Sequence, residues 1–157
     1  MAKTMTVVYT MAQPSAAVYQ TIVASQLAYF KDRNAGIHEL AVGTSVATTL
    51  HTKTDQMPVA ATMTVTQLET DHVFETKVTY AAGQIVTTYQ LAPVAEGTKV
   101  TYSETNTFNK KSFANSFWVV GWVYTLFYRR NIKKRLQWIE ETAALSKVGE
   151  SNGTASH

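Results

Sequence analysis

Hydrophobic and polar positions change rhythm three times along the chain. "MTVVYTM" (5–11) is short and rich in β-branched and aromatic residues, the texture of a strand. In "AQPSAAVYQTIVASQLAYFKDRN" (12–34), Val18, Ile22, Ser25 and Tyr29 recur at helical spacing, and Pro14 suits a first helical turn. Gly36 marks the end of this region, which fits one helix or two short ones. From 38 to 108 the texture is Thr/Val/Tyr-rich: "HELAVGTSVATTLHT", "PVAATMTVTQLET", "HVFETKVTYAA", "QIVTTYQLAPV" and "TKVTYSETNTF". Ala82-Gly83 and Glu96-Gly97 read as hairpin turns. Links this short cannot cross over a sheet, so the strands are expected to form an antiparallel meander. Helical texture returns from Ser112 to about Lys147 without a proline, and Gly121 is its only weak helix former. The polar residues 148–157 read as a disordered tail behind a single domain of residues 1–147.

The run from Phe117 to Tyr128 has one conventional polar side chain, Thr125, and basic residues follow it closely. A helix that spans a bilayer needs about 20 apolar residues, so this run is too short for a membrane span. A surface-bound helix would need one strongly polar face. Here Trp118, Val119, Trp122, Val123 and Leu126 oppose Phe117, Tyr124 and Tyr128. A helix apolar on all sides is normally buried on several of them. A curved sheet can cover one side, and the N-terminal helical region or a second subunit the other.

Composition adds limits. The chain of 157 residues is 45% hydrophobic and 16% charged, too apolar for a disordered chain and long enough for one sizeable core. It has no Cys, which removes thiolate chemistry and suits a reducing, cytoplasmic setting. The first residues lack the apolar segment of a secretory signal. The net charge of +3 is localised: Arg129, Arg130, Lys133, Lys134 and Arg135 form one cluster rather than the spread basic face of a nucleic-acid binder.

The order strand, helical segment, five or six antiparallel strands and long C-terminal helix resembles the α+β helix-grip fold. That is the fold of the START-like (SRPBCC) superfamily, which includes Bet v 1-like and polyketide-cyclase-like proteins. The resemblance covers residues 4–147. "GQIVTTYQL", "TKVTYSETNTF" and "KKRLQWIEET" resemble more narrowly an uncharacterised bacterial branch. The superfamily resemblance implies an apolar or amphipathic ligand between sheet and long helix, and the narrower one implies no activity.

Strand alternation places Val100, Tyr102, Glu104, Asn106 and Phe108 on one face, expected to look toward the long helix. A carboxylate there must be paired, hydrogen-bonded or protonated. Glu104 therefore reads as a ligand's polar anchor or a general acid/base, or else as a structural group held by a Tyr hydroxyl or a helix cation. An anchor unpaired in the empty protein is the favoured form. Tyr80, Tyr89 and Tyr102 occupy successive strands in an inward phase, and Phe117, Gly121, Tyr124 and Tyr128 share a helix face. With Glu104 these eight form the expected ligand-binding set. No catalytic residue is assigned.

His38, His51, His72 and His157 have no metal-ligand spacing, and no phosphate-binding Gly motif or G-x-S-x-G occurs, so no metal, cofactor or nucleic acid is expected. The basic cluster reads as a solvated face, neutralised in part by Glu140 and Glu141. Contact with anionic lipid or nucleic acid is a second reading, and Arg135 reaching into the cavity a third. The expected function is small-molecule binding. The alternatives are a cyclase, isomerase or hydrolase using the same cavity, or a regulatory homodimer formed through Trp118, Trp122 and Leu126.

Overall fold

A computed structural model describes residues 2–50, 59–108 and 130–145. The alternating segments form six strands: β1 (Ala2–Met11), β2 (Ser45–Leu50), β3 (Val59–Glu69), β4 (Val73–Tyr80), β5 (Gly83–Val94) and β6 (Gly97–Phe108). They make one antiparallel sheet in the order β1-β6-β5-β4-β3-β2. The strands β2 to β6 are the expected meander. The N-terminal strand joins it by pairing with the last one, from Ala2 opposite Thr107 to Met11 opposite Thr98. A single helix, α1 (Ser15–Arg33), follows β1. A C-terminal helix, α2, is described over residues 130–145.

The residue pattern explains each choice. One face of β6 buries Thr98, Val100, Tyr102 and Glu104, while Lys99 is exposed and Thr101, Ser103 and Thr105 are partly so. In α1, Val18, Tyr19, Thr21, Ile22 and Phe30 turn inward. Of the expected helical stripe Val18 and Ile22 are buried, whereas Ser25 and Tyr29 lie at its margin. Tyr29 and Arg33 both reach Thr48 of β2, at 2.6 and 3.1 Å, so the helix end is tied to the edge strand. In α2, Ile132, Leu136, Ile139 and Ala143 are buried, spaced four, three and four apart, which puts them on one stripe.

Glycine serves differently from the expectation. The turn between β4 and β5 is Ala81-Ala82, and Gly83 is already in β5, paired with Tyr80 and Phe108. A Cβ at Gly83 would lie 2.0 Å from the Thr107 carbonyl oxygen, so the residue is small because β6 runs close beside it. The β5–β6 turn is Ala95-Glu96, closed by Val94 opposite Gly97. Gly97 has φ +143°, and a Cβ there would stand 2.1 Å from the Met11 carbonyl oxygen. Both glycines therefore serve close backbone approach.

Two polar ties fix the helices to the β1–β6 end. Thr98 Oγ1 donates to the Gln13 carbonyl at 2.7 Å and lies 3.1 Å from the Ser15 hydroxyl, which positions the start of α1. Glu140 accepts from the Tyr9 hydroxyl at 3.0 Å and from the Ala12 amide at 2.8 Å. The expectation that Glu140 neutralises the basic cluster is thus corrected. Its carboxylate turns toward β1, because an orphan backbone N–H and a Tyr hydroxyl there need an acceptor.

Replacing Gly97 with Ala is expected to cost about 1–3 kcal/mol, since the left-handed backbone and the Met11 carbonyl both resist a Cβ. Thermal melts of Gly97→Ala beside Gly43→Ala check this. Gly43 also has positive φ but nothing within 4 Å, so its variant reports the backbone term alone and should lose less.

Candidate functional site

The sheet register sorts the inner face into rows. One row runs Val7–Tyr102–Tyr89–Phe74–Leu68 across five strands. Tyr89 and Tyr102 meet edge to face with centroids 5.1 Å apart, and Phe74 lies tilted against Tyr89 at 6.5 Å. The next row is Met5–Glu104–Thr87–Thr76–Val65, then Asn106–Ile85–Val78–Met63–Val46, then Phe108–Gly83–Tyr80–Ala61–Thr48. The aromatic row is sealed: Phe74, Tyr89 and Tyr102 are at most 2% exposed. Further along, Thr87, Ile85, Val78, Met63, Tyr80, Asn106 and Phe108 are only half-buried. The inner face thus passes from closed core to accessible apolar floor, with Glu104 at the boundary.

Glu104 is buried, as alternation predicts. It is not bare. The Tyr102 hydroxyl donates to its Oε2 at 2.8 Å, because residues two apart on a strand share a face. An unpaired anchor is therefore corrected to a carboxylate held by tyrosine. Tyr89 brings in a cation: Arg135 of α2 hydrogen-bonds its phenol. Burial pushes the Tyr89 phenol above its usual range; Arg135 pulls it back, and the Glu104 charge pushes it up again. The result is a polar group of two phenols, a carboxylate and a guanidinium between sheet and helix. The guanidinium comes from the direction in which the sequence placed Arg135, although much of its side chain remains exposed.

The other expected site residues divide in two. Tyr80 is on the correct face, but six residues of strand separate it from Phe74 of the aromatic row, roughly 20 Å. It stands at the far end of the floor, and burial raises its pKa as well. Phe117, Gly121, Tyr124 and Tyr128 lie outside the described residues, as do Trp118, Trp122, Leu126, Arg129 and residues 148–157. Thr76 and Thr87 are inner-face groups beside Glu104 that inspection for charge and aromaticity passes over. Strand phase relative to Glu104 is the signal that would find them.

Elsewhere, an open cleft of about 580 Å³ lies at the opposite end of the sheet, among Ala12, Pro14, Ser15, Asp71, His72, Pro93, Val94, Ala95, Glu96 and Gly97. His72 is exposed there, with Nδ1 at 2.8 Å from the Thr70 carbonyl. Among the described residues no group of three His, Asp or Glu side chains gathers as a metal site. No helix among them is long and apolar enough to cross a membrane.

An antiparallel six-stranded sheet with a helix after β1 and a C-terminal helix against the inner face defines a helix-grip protein of the START/Bet v 1/SRPBCC-like class. The chain belongs to the family described as a domain of unknown function, DUF3284, whose model matches residues 5–125. A protein of unknown function from Staphylococcus aureus, SA2116, shares the fold at TM-score 0.60 and 8% identity, over 92% of this chain and 97% of that one. A norcoclaurine synthase point mutant from Thalictrum flavum, solved with a transition-state analogue, does so at TM-score 0.59 and 11% identity, over 94% and 97%. An uncharacterised protein from Rhizobium leguminosarum matches at TM-score 0.56 and 14% identity, over 90% and 95%. No curated protein matches in sequence. Identities this low carry the fold and not the chemistry.

Two outcomes test the polar group. Tyr102→Phe removes a donor to a buried carboxylate and should destabilise by about 1–3 kcal/mol. Combined with Glu104→Gln in a double-mutant cycle, it should show a favourable coupling of about 1 kcal/mol in denaturant unfolding. For Tyr89 the folded pKa is raised, so the neutral phenol's contribution is complete below about pH 10 and is lost as pH rises through the folded value. Melts from about pH 8 to pH 11 should therefore show a smaller alkaline loss in Tyr89→Phe than in wild type. Phenolate absorbance should show one fewer late-titrating tyrosine.

Proposed function

We propose that this protein binds a small amphipathic molecule between the inner face of its sheet and the C-terminal helix. The observation that carries this reading is the floor of Ile85, Val78, Met63 and Tyr80, half-buried on a face whose neighbouring aromatic row is sealed. Partly wetted apolar side chains on the concave side of a sheet gain when an apolar body covers them. The floor starts beside Glu104 and Thr87 and runs toward Tyr80, so an elongated molecule fits it better than a compact one. Glu104 is an acceptor, so the polar end of the ligand is a hydroxyl or an amine rather than an acid. Phe117, Gly121, Tyr124 and Tyr128 belong to the proposal as the helix-borne wall.

A second reading, an enzyme of cyclase, isomerase or hydrolase type, draws on the same group. Glu104 and Tyr102 form a hydrogen-bonded acceptor and donor, with Tyr89 and Arg135 beside them. A carboxylate that shares a proton with a phenol can move one to or from a bound molecule. Binding is the preferred reading, because the half-buried apolar floor supports it directly, whereas acid-base catalysis would need a second titratable group placed across the cavity from Glu104.

N-phenylnaphthylamine, an apolar body with one N–H donor, is a suitable probe. It is expected to gain fluorescence on the wild type. Val78→Trp, which fills the floor, should weaken its binding at least tenfold while the protein still unfolds cooperatively. Native mass spectrometry of gently purified wild type should show a co-purifying small molecule that is reduced in Val78→Trp. Binding of the probe unchanged by Val78→Trp would rule the floor out as the site.

A further inference from the structure

The outward face of α2 does not look like a face meant only for water. Its buried stripe is Ile132, Leu136, Ile139 and Ala143. At 3.6 residues per turn, Arg130, Lys134, Trp138, Glu141 and Leu145 form a second stripe roughly 170° round the helix, turned away from the core. Trp138 is 50% exposed and Leu145 72% exposed. These are not margin residues showing an edge; they sit where a solvated helix would carry polar side chains. Arg130, Lys133 and Lys134 are exposed at the N-terminal end of the same surface, and its one exposed acid, Glu141, lies further along, between Trp138 and Leu145. Glu140 is occupied by Tyr9 and Ala12.

We propose that this face is a docking surface for an anionic lipid bilayer, on which α2 lies flat. The charge fits: three exposed cations against one acid face a negatively charged headgroup layer. The apolar pair fits as well, since a Trp ring settles at the headgroup level and a Leu about 10 Å along the helix enters beside it. A second copy of the chain fits less well. A stable dimer buries about 1,200–2,000 Å² around a continuous apolar centre, and two separated side chains on a face roughly 22 Å long do not supply one. Nucleic acid fits less well again, because its binders spread cations across a face rather than confine them to one helix end. The role is separate from ligand binding: the stripe is on the side of α2 away from the sheet, so neither reading needs the other.

The test is vesicle flotation of the full chain, with phosphatidylcholine vesicles and with vesicles containing phosphatidylserine. Wild type should float with the anionic vesicles, stay behind with the neutral ones, and be released by high salt. Each cation held at such a surface strengthens partitioning about fivefold, so Lys133→Ala/Lys134→Ala should weaken it about 25-fold. Trp138→Ala should weaken it at least fivefold while leaving the melting temperature and the N-phenylnaphthylamine signal unchanged. Because all three substituted positions are exposed, the variants are expected to fold, and the melts verify it. The proposal is overturned if wild type does not float with the anionic vesicles, or floats equally with neutral ones. It is also overturned if the variants float like wild type. Sedimentation across a concentration series and titration with duplex DNA complete the test. If the same substitutions abolish a dimer or a DNA complex and leave vesicle binding untouched, the stripe serves that partner instead.

Discussion

The pairing of β1 with β6 is the contact on which the other elements depend. It joins the first strand to the last at one edge of the sheet, and its close approach is permitted at Gly97, where the Met11 carbonyl occupies the place of a side chain. Met11, Val100 and Thr98 are completely buried at this junction. Both helices take their position from it. Thr98 holds the segment that begins α1, and Tyr9 and Ala12 of the β1 end hold Glu140 of α2. A long-range pairing of this kind closes a large loop before it gains anything, so it depends on contacts that only the assembled fold supplies. The helices in turn cover the inner face that the pairing completes.

Much of this frame was legible in the sequence because strand alternation and helical spacing are local signals. The five Thr/Val/Tyr runs mark β2 to β6, and the phase of Val100, Tyr102 and Glu104 fixes which side of β6 is inward. The helix of residues 15–33 was equally legible, except that nothing local decided between one helix and two. What local signals could not give is register. Tyr80, Tyr89 and Tyr102 read as one converging group on three strands, yet only Tyr89 and Tyr102 are cross-strand neighbours. Tyr80 falls three rows away because the two-residue turn pairs it with Gly83 and thence Phe108. The same limit hid the role of Glu140. Its charge suggested the nearby cluster, whereas its partners come from residues about 130 positions earlier in the chain.

The candidate site owes its character to a conflict between alternation and chemistry at one position. Alternation requires residue 104 to face inward, and the residue there is a carboxylate. Removing it from water is tolerated because its strand neighbour two residues back carries a hydroxyl in the same phase. On the outer face the analogous problem recurs at Glu75. Glu75 accepts from Thr66, Gln67 and Thr88, and the register shift between Val65 and Gln67 brings the two β3 side chains to it. Glu75 is saturated by its own sheet, with donors on three neighbouring strand positions, and it is framework. Glu104 stands instead at the boundary between a sealed aromatic row and a half-buried floor.

Helix α2 then has to satisfy three directions at once. Its aliphatic stripe closes the core, Arg135 on its flank reaches the Tyr89 phenol, and Glu140 is drawn to β1. Its outward side carries the most exposed of its described residues. A surface released from packing is normally filled by polar residues, which cost nothing in water. Trp138 and Leu145 depart from that expectation on this side, and they do so next to the strongest positive cluster in the sequence. The buried stripe of the helix does not account for them, because it lies on the other side. The bilayer proposed above would answer both features, since it combines an apolar medium with negative charge.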